Sequence, residues 1–257
     1  MHFSTTSIAV LSEECLSAAN PDKHSGNPHV HAKDWMEMRR MRAWMLIATA
    51  ILGIAHGEVI RFDHGTPGSL PAGWTVAMTH AGGTPKWEIV RDETAPHPPM
   101  ALAQVSRDAT AGRFPLAIWD RATIRNGEAS VAFKAVDGSI DRAAGIVWRF
   151  QDPNNYYIVR ANALENNVVL YKVEAGTRQS IAPKGLPSRA YGVKHEVPSQ
   201  RWNILRVVFN ESLFSVFLNG EHLFDVEDQT FKEAGKVGLW TKADSVTYFA
   251  DFTFVKH

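Results

Sequence analysis

GIVWRFQDPNNYYIVRANALENNVVLYKV, residues 145–173, reads as three β-strands joined by two polar turns. Its apolar residues fall in short runs of Val, Ile and Tyr, a strand composition. Asp152-Pro153-Asn154-Asn155 marks the first turn, because proline presets φ and asparagine tolerates left-handed backbone. Asn166-Asn167 closes the second hairpin. Side chains alternate faces along a strand. Alternation places Ile146, Trp148, Phe150, Tyr157, Val159 and Ala161 in a buried layer, joined by Val169, Tyr171 and Val173. The opposite side then carries Arg149, Tyr156, Arg160, Asn162 and Lys172. One cation per strand predicts a polar face there.

The same signals continue outward. From Glu58 on there is no long amphipathic helix pattern. Strands are predicted at Val59–Asp63, Lys86–Arg91, Ala101–Val105, Leu116–Trp119 and Glu128–Val136. Beyond the quoted stretch they are predicted at Trp202–Phe209, Phe214–Leu218, His222–Val226, Lys236–Trp240 and Thr247–Val255. Asn219-Gly220 and Asp137-Gly138 are hairpin signals, since both central residues of a tight hairpin need φ > 0. About a dozen short strands at this spacing predict an all-β fold: two antiparallel sheets packed as a sandwich or jelly roll. Trp148, Trp202 and Phe209 are expected in its core. The longest irregular stretch is 182–200, and loops of that length are often functional.

The chain has 257 residues, with 27 Lys and Arg against 27 Asp and Glu, so its formal net charge is zero. A general nucleic-acid binder needs a basic excess, so no nucleic-acid partner is expected. Residues 1–57 differ from the rest. Arg39, Arg40 and Arg42 precede an apolar run, Ala43–Ile54, followed by small residues at Gly53, Ala55 and Gly57. This pattern predicts a secretory signal at 38–57, too short for a comfortable membrane span. Residues 1–37 are then an untranslated or disordered leader, and 58–257 the exported domain, secreted or periplasmic, with no stable membrane span once the signal is cleaved. The only cysteine, Cys15, lies in the leader, as do His29 and His31. The leader and signal hold five basic and five acidic residues, so the domain itself is also neutral.

Three further segments complete a resemblance. VIRFDHGTPGSLPAGWTV, WNILRVVFNESLFSVFLNGEHLFDV and GKVGLWTKADSVTYFADFTF, with RFQDPNNYYIVRANALENNVVLYKV, resemble the concanavalin A-like, laminin-G-like proteins of bacteria. The similarity is to the DUF1080 group, also called 3-keto-disaccharide hydrolase domains. It spans nearly all of 58–257 and implies a concanavalin A-like β-sandwich. It says less about activity, because related folds serve lectins, adhesive modules and enzymes. The family-16 glucanase motif Glu-x-Asp-x-x-Glu, which sets a retaining carboxylate pair on one sheet face, is absent from this sequence.

Arginine and asparagine offer planar hydrogen-bonding groups to vicinal hydroxyls, and aromatic rings stack on sugars. Arg149, Tyr156, Arg160, Asn162, Glu165 and Lys172 are therefore candidate ligand residues for a glycan or oligosaccharide. Trp119 and Trp240 are candidate platforms at strand ends, flanked by Lys242. An exposed Arg160 predicts that its removal abolishes binding at a cost of only a few degrees in Tm. Asp63 and Asp251, on the first and last strands, are candidates for a structural calcium; no other cofactor is implied. The enzymatic alternative acts on 3-keto-disaccharides and needs an acid and a base, for which Glu165, Tyr156 and His195 are candidates. The third alternative is an adhesive laminin-G-like module.

Overall fold

A computed structural model describes residues 57–257. The leader and nearly all of the signal segment, with Cys15, His29 and His31, lie outside the described residues. Among the described residues the strands are β1 (Glu58–Ile60), β2 (Trp74–Thr79), β3 (Trp87–Arg91), β4 (Met100–Gln104) and β5 (Phe114–Ile124). They continue as β6 (Gly127–Asp137), β7 (Ala143–Asp152), β8 (Asn155–Asn162), β9 (Asn167–Glu174), β10 (Thr177–Ser180) and β11 (Val193–Lys194). The last are β12 (Trp202–Asn210), β13 (Leu213–Leu218), β14 (Glu221–Glu227), β15 (Gly235–Trp240) and β16 (Val246–Lys256). No helix among them is long and apolar enough to cross a membrane.

Two antiparallel sheets form the sandwich. One runs β14-β13-β12-β6-β16-β4-β3, with β1 on β16; the other runs β10-β9-β8-β7-β15-β5-β2, with β11 on β9. The thirteen expected strands are present. β2, β10 and β11 were not expected, because β10 is the polar TRQS and β11 has only two residues. The Asn219-Gly220 turn has φ 50° and 85°, as its type requires.

Between the sheets lies the main core. Trp148 stacks on Tyr157 at 5.4 Å and on Phe209 at 5.9 Å, with Phe214 edge-on at 5.4 Å. Trp202 is not part of it. Phe209, Val207 and Leu205 point inward, so the even-numbered Trp202 points outward, where Lys134 sits 5.3 Å over its ring.

The second sheet has a further apolar layer on its outer face. Phe114, Leu116, Ile118, Val147, Tyr156, Ile158, Val169, Tyr171, Val173 and Trp240 are buried there. The sheet achieves this by curling. Its margins are β10 and β2, which six spacings of ~4.8 Å would part by roughly 29 Å if flat. Yet His80, after β2, bonds the carbonyl of Gly176, before β10, at 2.7 Å. The outer face is therefore a concave trough filled by its own side chains.

Candidate functional site

Register, not composition, decides which residues share the trough. β8 pairs β9 with Tyr157 opposite Lys172 and Arg160 opposite Val169. Directly opposed residues share a face. Val169, Tyr171 and Val173 therefore line the trough, and Val168, Leu170 and Lys172 face the other sheet. This reverses the expected faces of β9. Both faces of that strand are apolar, so alternation carries no signal there. Lys172 bonds Thr230 at 2.8 Å and stands 3.8 Å from Asp228, away from the trough.

Arg149 leaves the trough for a different reason. It occupies a β-bulge of β7 with φ 47°. Gly235 permits the bulge: a Cβ there would stand 2.4 Å from the Arg149 carbonyl carbon. The guanidinium turns to one end of the sandwich and donates to the carbonyls of Arg125 (3.0 Å), Phe231 (2.7 Å) and Glu211 (2.6 Å). It forms the wall of a cleft of about 240 Å³ with Arg125, Glu211, Ser212, Gln229 and Lys232.

Arg160, Asn162 and Glu165 do come together, at the other end of β8. Asn162 accepts from the backbone N–H of Leu164 (2.8 Å) and of Glu165 (3.2 Å), which folds the turn back over the strand. Glu165 then pairs with the fully buried Arg160 at 2.8 Å. Arg160 also donates to Asn167 at 2.8 Å and lies over the rings of Tyr171 (5.6 Å) and Tyr191 (5.9 Å). Asn162 donates to Asp141 at 2.8 Å, and Lys242 donates to the same carboxylate at 2.5 Å. Asp141 is held by its loop, whose three backbone N–H groups, Ser139, Ile140 and Asp141, all donate to Asp244.

The electrostatics follow from these contacts. Burial works against the charged Glu165, but Arg160, Asn167 and Lys242 outweigh it and hold its pKa below the ordinary value. Burial also works against the Arg160 cation; Tyr171, Tyr191, Glu165 and Asp141 outweigh it and raise its pKa. Buried ion pairs are poor stabilisers, because desolvation offsets their attraction. Their value here is geometric: planar donors and acceptors fixed in place. Around them three apolar side chains reach solvent: Ile140, Leu164 and Tyr191 are 49%, 44% and 47% exposed.

The other candidates are elsewhere. Trp240 is buried in the trough, 5.3 Å from Phe114, and offers no open ring face. Trp119 is buried between the sheets, 5.4 Å from Trp74, with Arg121 capping it at 5.4 Å. Tyr156 closes the far end of the trough, its hydroxyl 2.7 Å from that of Thr79; burial pushes its pKa up to about 12. His195 lies 3.4 Å from Glu221 on the first sheet. The side chains of Glu165, Tyr156 and His195 therefore do not hydrogen-bond one another, although the His195 backbone N–H donates to the Asn166 carbonyl at 3.0 Å. Asp63 pairs with His64 and Asp251 with His97, not with each other. No group of three His, Cys, Asp or Glu suited to a metal occurs among the described residues.

Sequence reasoning missed Asp141, Asn167, Arg178 and Tyr191. Asn167 was legible only as a turn residue. Tyr191 comes from the long 182–200 loop, whose β11 pairs with β9 and lays the loop along the sheet margin.

A curled sandwich with a polar cluster at one end of its trough invites comparison. The fold is similar to that of carbohydrate-binding module CBM66 from Bacillus subtilis. The TM-score is 0.53 at 17% identity, over 70% of this chain and 94% of that one. Domain 4 of the extracellular arabinanase AbnA from Geobacillus stearothermophilus, solved with arabinotriose, gives 0.48 at 12% identity, over 78% and 93%. A Bacillus subtilis protein of unknown function with a galectin-like fold gives 0.45 at 12% identity, over 78% and 100%. No family model matches the sequence, and no curated protein matches it.

Proposed function

We propose that this chain is an exported carbohydrate-binding β-sandwich, related to the 3-keto-disaccharide hydrolase-like domains, that holds a glycan at the Arg160 end of its trough. One observation carries the reading. Two side-chain clusters, Arg160 with Glu165 and Asn167, and Asn162 with Asp141 and Lys242, are joined where the Glu165 backbone N–H donates to Asn162 at 3.2 Å. Together they open to solvent beside the exposed Tyr191 ring. Sugars need this combination: hydrogen-bond arrays for hydroxyls and an apolar face for the C–H side of the ring. The likeness to a carbohydrate-binding module in fold accords with it, and the 38–57 pattern supports export. The scattering of Glu165, Tyr156 and His195 favours binding over hydrolysis.

Tyr191→Ala tests the reading. Its ring is half exposed, but its hydroxyl bonds that of the buried Tyr171, so the variant should melt roughly 2–8 °C below the parent and still fold. On a glycan array it should lose retention of whichever oligosaccharide the parent holds. Unchanged retention would move the site away from this end of the trough.

A further inference from the structure

Among the described residues, three cations stand in or beside the trough. Arg160 is neutralised by Glu165 and Lys242 by Asp141. The third is Arg178, on the margin strand β10. It faces the trough because it pairs with the buried Val173. No carboxylate pairs with Arg178 among the described residues. Its guanidinium rests instead on aromatic faces: 4.5 Å from the Tyr171 centroid, 4.8 Å from Phe114 and 5.9 Å from Trp240. It is half-buried, and its Nη1 is buried without a hydrogen-bond partner.

This environment positions a charge without cancelling it. Ring quadrupoles hold a cation in place but contribute no counter-charge. Partial burial strips water from the guanidinium, which strengthens its attraction for an anion. The planar fork is shaped for an oxyanion such as a carboxylate or sulfate. Tyr171 lies within reach of both Arg178 and Arg160, so the free charge adjoins the polar network.

We propose that Arg178 determines specificity: the trough selects glycans carrying an anionic oxygen, a uronic-acid carboxylate or a sulfate ester, over neutral ones. This rests on the glycan reading above and goes beyond it in naming the ligand's charge.

Affinity electrophoresis of the full chain tests the proposal with four probes: oligogalacturonate, its methyl ester, dextran sulfate and neutral dextran. The parent should bind an acidic probe roughly tenfold or more tightly than its neutral counterpart. Preference for oligogalacturonate over its methyl ester identifies the carboxylate; preference for dextran sulfate over dextran identifies the sulfate. Arg178→Gln should abolish the preference and leave Tm within a few degrees. Retained preference in Arg178→Gln overturns the proposal. Should that variant fail to fold, the parent alone decides, because equal binding of the acid and its methyl ester, and of both dextrans, also overturns it. Equal binding of acidic and neutral probes removes the role of Arg178 and leaves the glycan reading standing. No binding to any glycan removes both.

Discussion

Arg149 and Arg160 stand on adjacent strands of one sheet, and both are almost wholly buried. Their burial is compensated in opposite ways. Arg149 gives its hydrogen bonds to three backbone carbonyls and stacks 5.5 Å from Phe214. It fastens together the β5–β6 turn, the β12–β13 turn and the loop at Phe231. Arg160 gives its hydrogen bonds to side chains, Glu165 and Asn167, and two tyrosines flank it. The electrostatics divide accordingly: burial lowers the pKa of Arg149, whereas the partners of Arg160 overcome burial and raise it. A cation spent on carbonyls is a structural clasp. A cation spent on a half-exposed carboxylate and aromatic rings is, under the proposed function, part of the ligand site.

The comparison breaks first at Arg149. Arg149→Met keeps the apolar stem and strips the donors from three carbonyls. Each buried acceptor left unpaired costs about 1–3 kcal/mol, and the adjoining cleft admits water to some of them. The expected loss is about 3 kcal/mol in all, a fall in Tm of roughly 6–12 °C for a domain of this size. Glycan binding by the folded fraction should not change. Arg160→Met should cost less, about 2 kcal/mol, because Glu165 can turn its 40% exposed side chain to water. Here glycan retention should vanish. The sequence alone predicts a loss of only a few degrees for removing Arg160, and its burial revises that upward. Melts of the two variants in one buffer, with binding measured below both transitions, check the ranking. A larger fall for Arg160→Met, or lost binding in Arg149→Met, would reverse the assignment of clasp and site.

The fold was legible because its signals are local. Asn219-Gly220 and the Asp152–Asn155 turn set hairpins by their own chemistry, and the apolar runs between turns mark thirteen of the sixteen strands. The site was legible in part. Arg160, Asn162, Glu165 and Lys242 stand out as polar groups in or beside strands. What the sequence hides is face. Val168-Val169-Leu170-Tyr171 is apolar throughout, so only the register against β8 shows that Tyr171, not Leu170, lines the trough. The bulge at Arg149 breaks parity with no glycine or proline at that position to announce it. The curl that buries Tyr156 and Trp240 depends on contacts such as His80 to Gly176, 96 residues apart in the chain. Arg178 was invisible for the same reason: TRQS reads as a polar connector until β9 is placed beside it.

The smallest expected effect sharpens the contrast by pH. Carbonyls do not titrate, and the carboxylate that Arg149 helps to hold down, Glu211, is exposed and its coupling screened, so the penalty of Arg149→Met should vary little from pH 3 to 7. The partner of Arg160 does titrate. The folded-state pKa of Glu165 lies below its ordinary 4.5, so its stabilising share is complete above that value and is lost as pH falls through the lower folded one. Glu165→Gln removes that share at every pH. Its Tm should therefore trail the parent's by a small margin at pH 7, limited by the exposure of the carboxylate. The margin should narrow as pH falls below 4.5 and close once pH has passed through the lower folded-state pKa, where the parent's carboxyl is protonated too. A margin that stays constant with pH would mean that Glu165 acts through shape alone, and Arg160 would then be a clasp of the same kind as Arg149.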